Sequence, residues 1–319
     1  MLVKNIFEFF DPCRADFNRQ KACIKGNNIR FYNWGGKNIE DWFEQFLKNT
    51  GLLHDGQIVN LCSVFGKRRV LNYINDGITI FFSGENSHHR NYTQYADYLL
   101  GKPNCRLALG FDYFEDERYL RFPLWLLYMF EPRLDSIHIK RRCAALTNPN
   151  TKERRELFSC LIARYDDSGL RTEIFHKLTP LGRIDCPSDF LHNDNSLRND
   201  YDDDKRAYLK NYKFNICPEN TNSYGYVTEK AFEAIEAGCI PIYWGSYNQP
   251  EKGILNPEAI ILWDCESNGE RAFSQVEQLT NDPILYSDFA NQPRLMPGAH
   301  EKIEEMFVNL YEKLKLILD

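Results

Sequence analysis

The apolar positions fall into short continuous runs and longer runs of helical spacing, and their alternation predicts an α/β protein. In the first half, strands are predicted over 29–33, 57–64, Ile78–Phe82 and 107–111. Between the first two, Ile39, Trp42, Phe43, Phe46 and Leu47 recur with helical periodicity over 38–48 and make an amphipathic helix with an aromatic core face. A further helix is expected over 93–100, and residues 119–130 are apolar enough to be buried, with Pro123 near their start. Charges and the Asn148-Pro149-Asn150 turn signal then interrupt the pattern, which places a domain boundary at residue 150. The second half restarts with an apolar run over 157–163 and a helix over 171–178, followed by a polar loop through Asp200. Next come a strand over 214–217, a helix from about Val227 to Gly238, and strands over Ile240–Tyr243 and 260–263. Ile303, Met306, Phe307, Leu310, Leu314 and Ile317 mark a last amphipathic helix over 299–318. The expected organisation is 1–150, 151–298 and 299–319, with the last helix packing back on the N-terminal domain.

A length of 319 residues fits two domains of about 150 residues each, either able to bury a core. The net charge of −6 carries no overall basic bias, so nucleic acid is not an expected partner. The basic runs Lys67-Arg68-Arg69 and Lys140-Arg141-Arg142 read first as solvated faces, while contact with an acidic membrane surface stays open. The 10 cysteines lack a C-x-x-C pair and read as buried free thiols. The most apolar stretch, 122–130, is far short of the roughly 20 residues of a spanning helix, and no secretory signal is evident.

Candidate chemistry concentrates in residues 212–246, YKFNICPENTNSYGYVTEKAFEAIEAGCIPIYWGS. Strand, polar loop, helix start and strand make one βαβ unit, and such units bind ligands at the carboxyl ends of their strands. Asn220, Tyr226, Glu229 and Lys230 would lie at that end. A helix start offers unpaired N–H groups to phosphate, Lys230 adds a positive charge, and Glu229 can accept from ribose hydroxyls. The same residues also fit a plain helix whose first-turn charges face solvent. A second carboxylate, Glu85, follows the run Ile78–Phe82 on a glycine-bearing turn, either as a cleft residue or as an exposed turn glutamate. Asp202-Asp203-Asp204 precedes a helical segment and reads as a cap rather than a metal site, and no histidine stands at zinc-ligand spacing.

The block YKFNICPEN, GYVTEK and IPIYWGS resembles the donor-binding signature of the alpha-1,3-fucosyltransferases, glycosyltransferase family ten, especially its bacterial members. One position departs: Pro218 stands where that family usually has phenylalanine, which removes a backbone donor and puts an aromatic contact in question. Gly84-Glu85-Asn86 is similar to a segment whose glutamate is taken as the family's catalytic base, and Arg171 matches an arginine that contacts the donor pyrophosphate. An arginine fork can bond two phosphate oxygens at once.

The resemblance implies a GT-B fold, two Rossmann-like domains facing a central cleft, and an inverting alpha-1,3-fucosyltransferase. GDP-β-L-fucose would be the donor, and GlcNAc or glucose of N-acetyllactosamine or lactose the acceptor, within an oligosaccharide or glycolipid. The implied donor residues are Arg171, Asn220, Tyr226, Glu229 and Lys230, with Glu219 as a reserve carboxylate near the fucose ring; Asn86 and His88 lie on the acceptor side. No cofactor is required by this reading, a divalent metal being at most stimulatory. The expected location is the bacterial cytoplasm, peripheral attachment at the inner membrane included, and a soluble segment of a longer protein stays open. Two rivals are a GT-B transferase using another nucleotide sugar in lipopolysaccharide synthesis, and a non-catalytic sugar- or nucleotide-binding protein.

Overall fold

A computed structural model describes residues 11–22, 28–149 and 155–319. The chain divides into two units, one comprising the chain up to Asp135 together with Glu304–Asp319, the other Ser136–Ile303. The division falls at Asp135 rather than at residue 150 because helix Ser136–Thr147, where the apolar pattern fades, packs in the second unit. There Arg142 pairs with Glu236.

The first unit carries a parallel sheet in the order β1-β2-β3-β4-β5: Ile29–Tyr32, Val59–Cys62, Ile78–Phe82, Cys105–Gly110 and Tyr119–Arg121. Its middle strands are covered on both faces, which is why they read as unbroken apolar runs. Helix Lys37–Asn49 buries Trp42, Phe43, Phe46 and Leu47, the face its spacing announces. Trp42 stacks on Phe46 at 5.2 Å and donates its indole N–H to the Phe130 carbonyl at 2.9 Å. Phe307, on the final helix Ala299–Leu318, joins this cluster against Trp42, Phe46, Phe122 and Phe130.

The helix expected over 93–100 does not form; a single 3-10 turn, Thr93–Tyr95, gives way to Tyr98 and Leu99 at φ 51° and 58°. Asp97 explains the break. Its carboxylate accepts from the Leu99 N–H at 3.2 Å and from the Arg68 guanidinium at 2.7 Å, so the local chain bonds to side chains instead of a helical ladder.

The second unit holds a parallel sheet in the order β10-β9-β8-β6-β7, from strands Leu157–Cys160 (β6), Ile184–Asp185 (β7), Tyr212–Ile216 (β8), Ile240–Tyr243 (β9) and Ile261–Leu262 (β10). From β6 the chain steps outward to β7, then returns past β6 to β8 and continues to the other edge. The connections therefore diverge between β6 and β8, the switch point where open parallel sheets hold ligands at their carboxyl ends. Helix Glu229–Glu236 links β8 to β9, and Gly238 closes it at φ 79°. Of the 10 cysteines, the nine described are free, with Cys265 alone among them exposed; Cys23 lies outside the described residues.

Candidate functional site

At the β6–β8 switch point, two separate segments of chain bring their polar groups together. Arg171 is the second residue of helix Leu170–Leu178, which begins at the left-handed Gly169 after β6. Only 6% exposed, its guanidinium donates to the Tyr165 carbonyl at 2.9 Å, the Pro218 carbonyl at 3.3 Å and Asn220 Oδ1 at 2.9 Å. The loop after β8 is thus tied to the loop after β6. Pro218, lacking an N–H, still serves through its carbonyl. Asp166 accepts from the Thr172 N–H and hydroxyl at 2.9 and 2.8 Å. Burial pushes that carboxyl up, but the Thr172 bonds and Arg171 outweigh it and hold it below the usual range.

Lys230, in the first turn of helix Glu229–Glu236, is part of a buried chain of bonds. Its Nζ donates to Thr228 Oγ1 at 2.7 Å and Glu219 Oε2 at 3.2 Å, and lies 3.6 Å from Glu229 Oε1. Thr228 in turn gives Glu219 both its N–H and its hydroxyl, each at 2.7 Å, and the Tyr243 hydroxyl reaches Glu219 Oε1 at 3.4 Å. Glu219 is only 2% exposed and both of its oxygens are occupied. It fastens the polar loop to the helix start. Neither of its oxygens is presented as a base or to a sugar ring, in contrast to the reserve role the sequence suggested.

Glu229 differs in kind. Burial alone would raise its carboxyl, but Lys230 and the hydrogen bonds of the helix start hold it below the usual range, as an anion fit to accept from hydroxyls. Glu229 and Lys230 line a cavity of about 50 Å³ with Arg171, Pro218, Lys205 and Glu233. The sequence reading passed over Lys205 and Glu233, whose charged ends are 3.7 Å apart. It also passed over Asn215, a lining residue whose buried Oδ1 has no hydrogen-bond partner among the described residues. A basic residue directly after the Asp204 cap was the available signal for Lys205. Tyr226, in the same loop, is only 2% exposed and shows no open ring for stacking. Asp204 accepts from the N–H groups of Arg206 and Ala207, capping helix Lys205–Leu209.

In the first unit, Glu85 and Asn86 follow β3. Glu85 is half-buried and its carbonyl accepts from the Ser83 hydroxyl at 2.7 Å. Asn86 is buried and uses Oδ1 to hold the His88 N–H at 3.0 Å. His88 Nε2 lies 2.7 Å from Asp112 Oδ2, a carboxylate that follows β4, the adjoining strand. Along the β4–β5 connection, a hollow of about 450 Å³ is lined by Phe114, Glu115, Asp116, Glu117, Tyr119 and Arg121.

Among the described residues, no three His, Cys, Asp or Glu side chains are grouped to hold a metal ion, and no helix is long and apolar enough to cross a membrane. The basic runs are partly engaged internally, Arg68 with Asp97, Arg69 with Asp11 and Arg142 with Glu236.

Residues 27–128 match the family model described as the alpha-(1,3)-fucosyltransferase FucT N-terminal domain, and residues 151–302 match that of the glycosyltransferase family 10 (fucosyltransferase) C-terminal region. An alpha-(1,3)-fucosyltransferase FucT from Helicobacter pylori is 25% identical over 297 residues, covering 80% of this chain and 57% of its own length. A putative fucosyltransferase-like protein from Arabidopsis thaliana is 48% identical over 84 residues, 26% of this chain and 16% of that protein. The chain thus spans little more than half the length of the Helicobacter relative. A crystal structure of an alpha1,3-fucosyltransferase superposes with a TM-score of 0.58 at 21% identity, covering 89% of this chain and 90% of that one. Another, with GDP-fucose, gives 0.55 at 19% identity, covering 93% and 96%. The likeness places the fold in the GT-B class, here two successive parallel α/β units.

Proposed function

The chain belongs to glycosyltransferase family 10, the fucosyltransferases, and from that premise we propose that it transfers L-fucose from GDP-β-L-fucose, with inversion, to GlcNAc or glucose in α1,3 linkage. N-acetyllactosamine and lactose are the acceptor types, giving products of the Lewis x or 3-fucosyllactose kind. The observation that carries the reading is the convergence of Arg171, Asn220, Glu229 and Lys230 at the β6–β8 switch point.

In this mechanism the second unit holds the donor. Lys230 and the N–H groups of its helix start receive the pyrophosphate, and Arg171 adds a second cation beside Asn220. Glu229 accepts from the ribose hydroxyls. Glu85 is the base: it takes the proton of the acceptor hydroxyl as that oxygen bonds the anomeric carbon and the bond to GDP breaks from the opposite face. A carboxylate in this role contributes roughly 10²- to 10⁴-fold. Negative charge growing on the departing phosphate is met by the two fixed cations, and the chemistry requires no metal.

The test is a donor panel. Incubated with N-acetyllactosamine or lactose, the protein should turn over GDP-fucose and leave GDP-mannose and UDP-sugars largely unused. Turnover with a different nucleotide sugar alone would identify another transferase, and none with any would favour a binding protein.

A further inference from the structure

We propose that His88, oriented by Asp112, contacts the acceptor sugar beside Glu85, and that Asp112 is the positioning residue deciding which imidazole nitrogen meets it. The proposal deepens the fucosyl-transfer reading and rests on it. His88 lies three residues beyond Glu85 in the segment following β3, with its N–H held by Asn86 Oδ1 at 3.0 Å. Its ring stands edge-on to Phe111 at 5.9 Å, and Nε2 is 2.7 Å from Asp112 Oδ2.

The support behind the ring is rigid. Asp112 Oδ2 also accepts from the Tyr98 hydroxyl at 2.8 Å, and the Asp112 carbonyl accepts from the Tyr119 hydroxyl at 3.0 Å. Both tyrosines are buried, and burial raises both phenols above their ordinary value, so they remain donors. The His88 side chain is 48% exposed while that of Asp112 is 17% exposed. A solvent-facing imidazole therefore stands on a largely covered carboxylate that the Tyr98 hydroxyl also holds, with the Asp112 backbone fixed by Tyr119.

An ionised carboxylate only accepts, so in the neutral ring the imidazole proton stands on Nε2 and Nδ1 is left as an acceptor. Among the described residues, no protein group bonds Nδ1. A sugar hydroxyl is the partner that suits it: the O–H donates to Nδ1 and fixes the acceptor ring while Glu85 takes the proton of a neighbouring hydroxyl. The ordinary alternative is a surface ion pair, which would be worth little and would influence donor and acceptor alike only through stability.

The experiment is a double-mutant cycle with His88→Ala, Asp112→Asn and the pair, varying N-acetyllactosamine at saturating GDP-fucose and then GDP-fucose at saturating acceptor. Loss of one hydrogen bond should raise the acceptor KM roughly tenfold in each single variant. The donor KM should stay unchanged, and the double variant should be no worse than His88→Ala. His88→Gln, which keeps an acceptor oxygen, should recover part of the loss. Unchanged acceptor KM in His88→Ala, or additive losses, would overturn the proposal. Two readouts work without turnover: N-acetyllactosamine binding in the presence of GDP, and imidazole ¹⁵N shifts, which should show His88 protonated on Nε2. Parent protein that fails to use GDP-fucose sinks the fucosyl-transfer reading; parent protein whose sugar affinity ignores His88, or whose proton sits on Nδ1, sinks this one.

Discussion

Glu219 and Glu229 stand ten residues apart and differ in setting: Glu219 is locked into the polar loop, while Glu229 lines the small cavity beside Lys230. Glu219 receives two bonds from Thr228 and one each from Lys230 and Tyr243. Replacing it by glutamine turns one acceptor oxygen into a donor facing donors. Glu219→Gln should lower stability by about 1–3 kcal/mol, read from urea unfolding; unaltered stability would mean the loop does not depend on this bond set. Arg171 poses a different question, since its fork already spans the Tyr165 and Pro218 carbonyls and Asn220. A lysine cannot reproduce that planar geometry. Arg171→Lys should raise the GDP-fucose KM by roughly tenfold or more with the acceptor KM intact, consistent with loss of one charge-assisted hydrogen bond. An equal rise in both would place Arg171 outside the donor site.

At the scale of elements, the segment after β9 carries the tightest constraint. Gly245 has φ 146°, and a Cβ there would come within 2.6 Å of Glu219 Cγ and 2.8 Å of the Tyr243 hydroxyl. Gly245→Ala should therefore destabilise the fold and weaken GDP binding together, measured by thermal unfolding and calorimetry; a fully stable variant would show that the Glu219 latch can shift. The Arg68–Asp97 pair, which replaces the expected helix over 93–100, gives a pH signature. The Arg68 hydrogen bond is the main cause holding the Asp97 carboxyl below its ordinary value. Its stabilisation is therefore present above the ordinary carboxylate range and lost as pH falls through the lowered value. Half-exposed as it is, Asp97→Asn should cost a few tenths of a kcal/mol at pH 7 and progressively less as the solution is acidified; a loss independent of pH would exclude the charge. These cases show what the sequence could reveal. Period and local motif gave β3, β9, helix Lys37–Asn49 and the last helix almost to the residue. The β6–β8 switch point depends on strand order, and the His88–Asp112 contact joins the ends of neighbouring strands, so neither has a local signature. Tyr98 and Leu99 sit in a stretch that spacing makes helical, and Asp97, bonded both to the Leu99 N–H and to the remote Arg68, decides otherwise.

For the whole molecule, the last helix begins among residues of the second unit and continues, from Glu304, among those of the first. Its anchor in the first unit is Phe307, fully buried against Trp42, Phe46, Phe122 and Phe130. Phe307→Ala should cost about 3–5 kcal/mol of first-unit stability, followed by denaturant unfolding; a loss well under 1 kcal/mol would mean the cluster closes without the helix. The division of labour between the units is the central claim, with the base in the first and the donor groups in the second. It is tested most directly by measuring fucosyl transfer and GDP affinity on the same Glu85→Ala protein. The account predicts turnover reduced by roughly 10²- to 10⁴-fold with GDP affinity unchanged; undiminished turnover, or GDP affinity lost along with it, would contradict it.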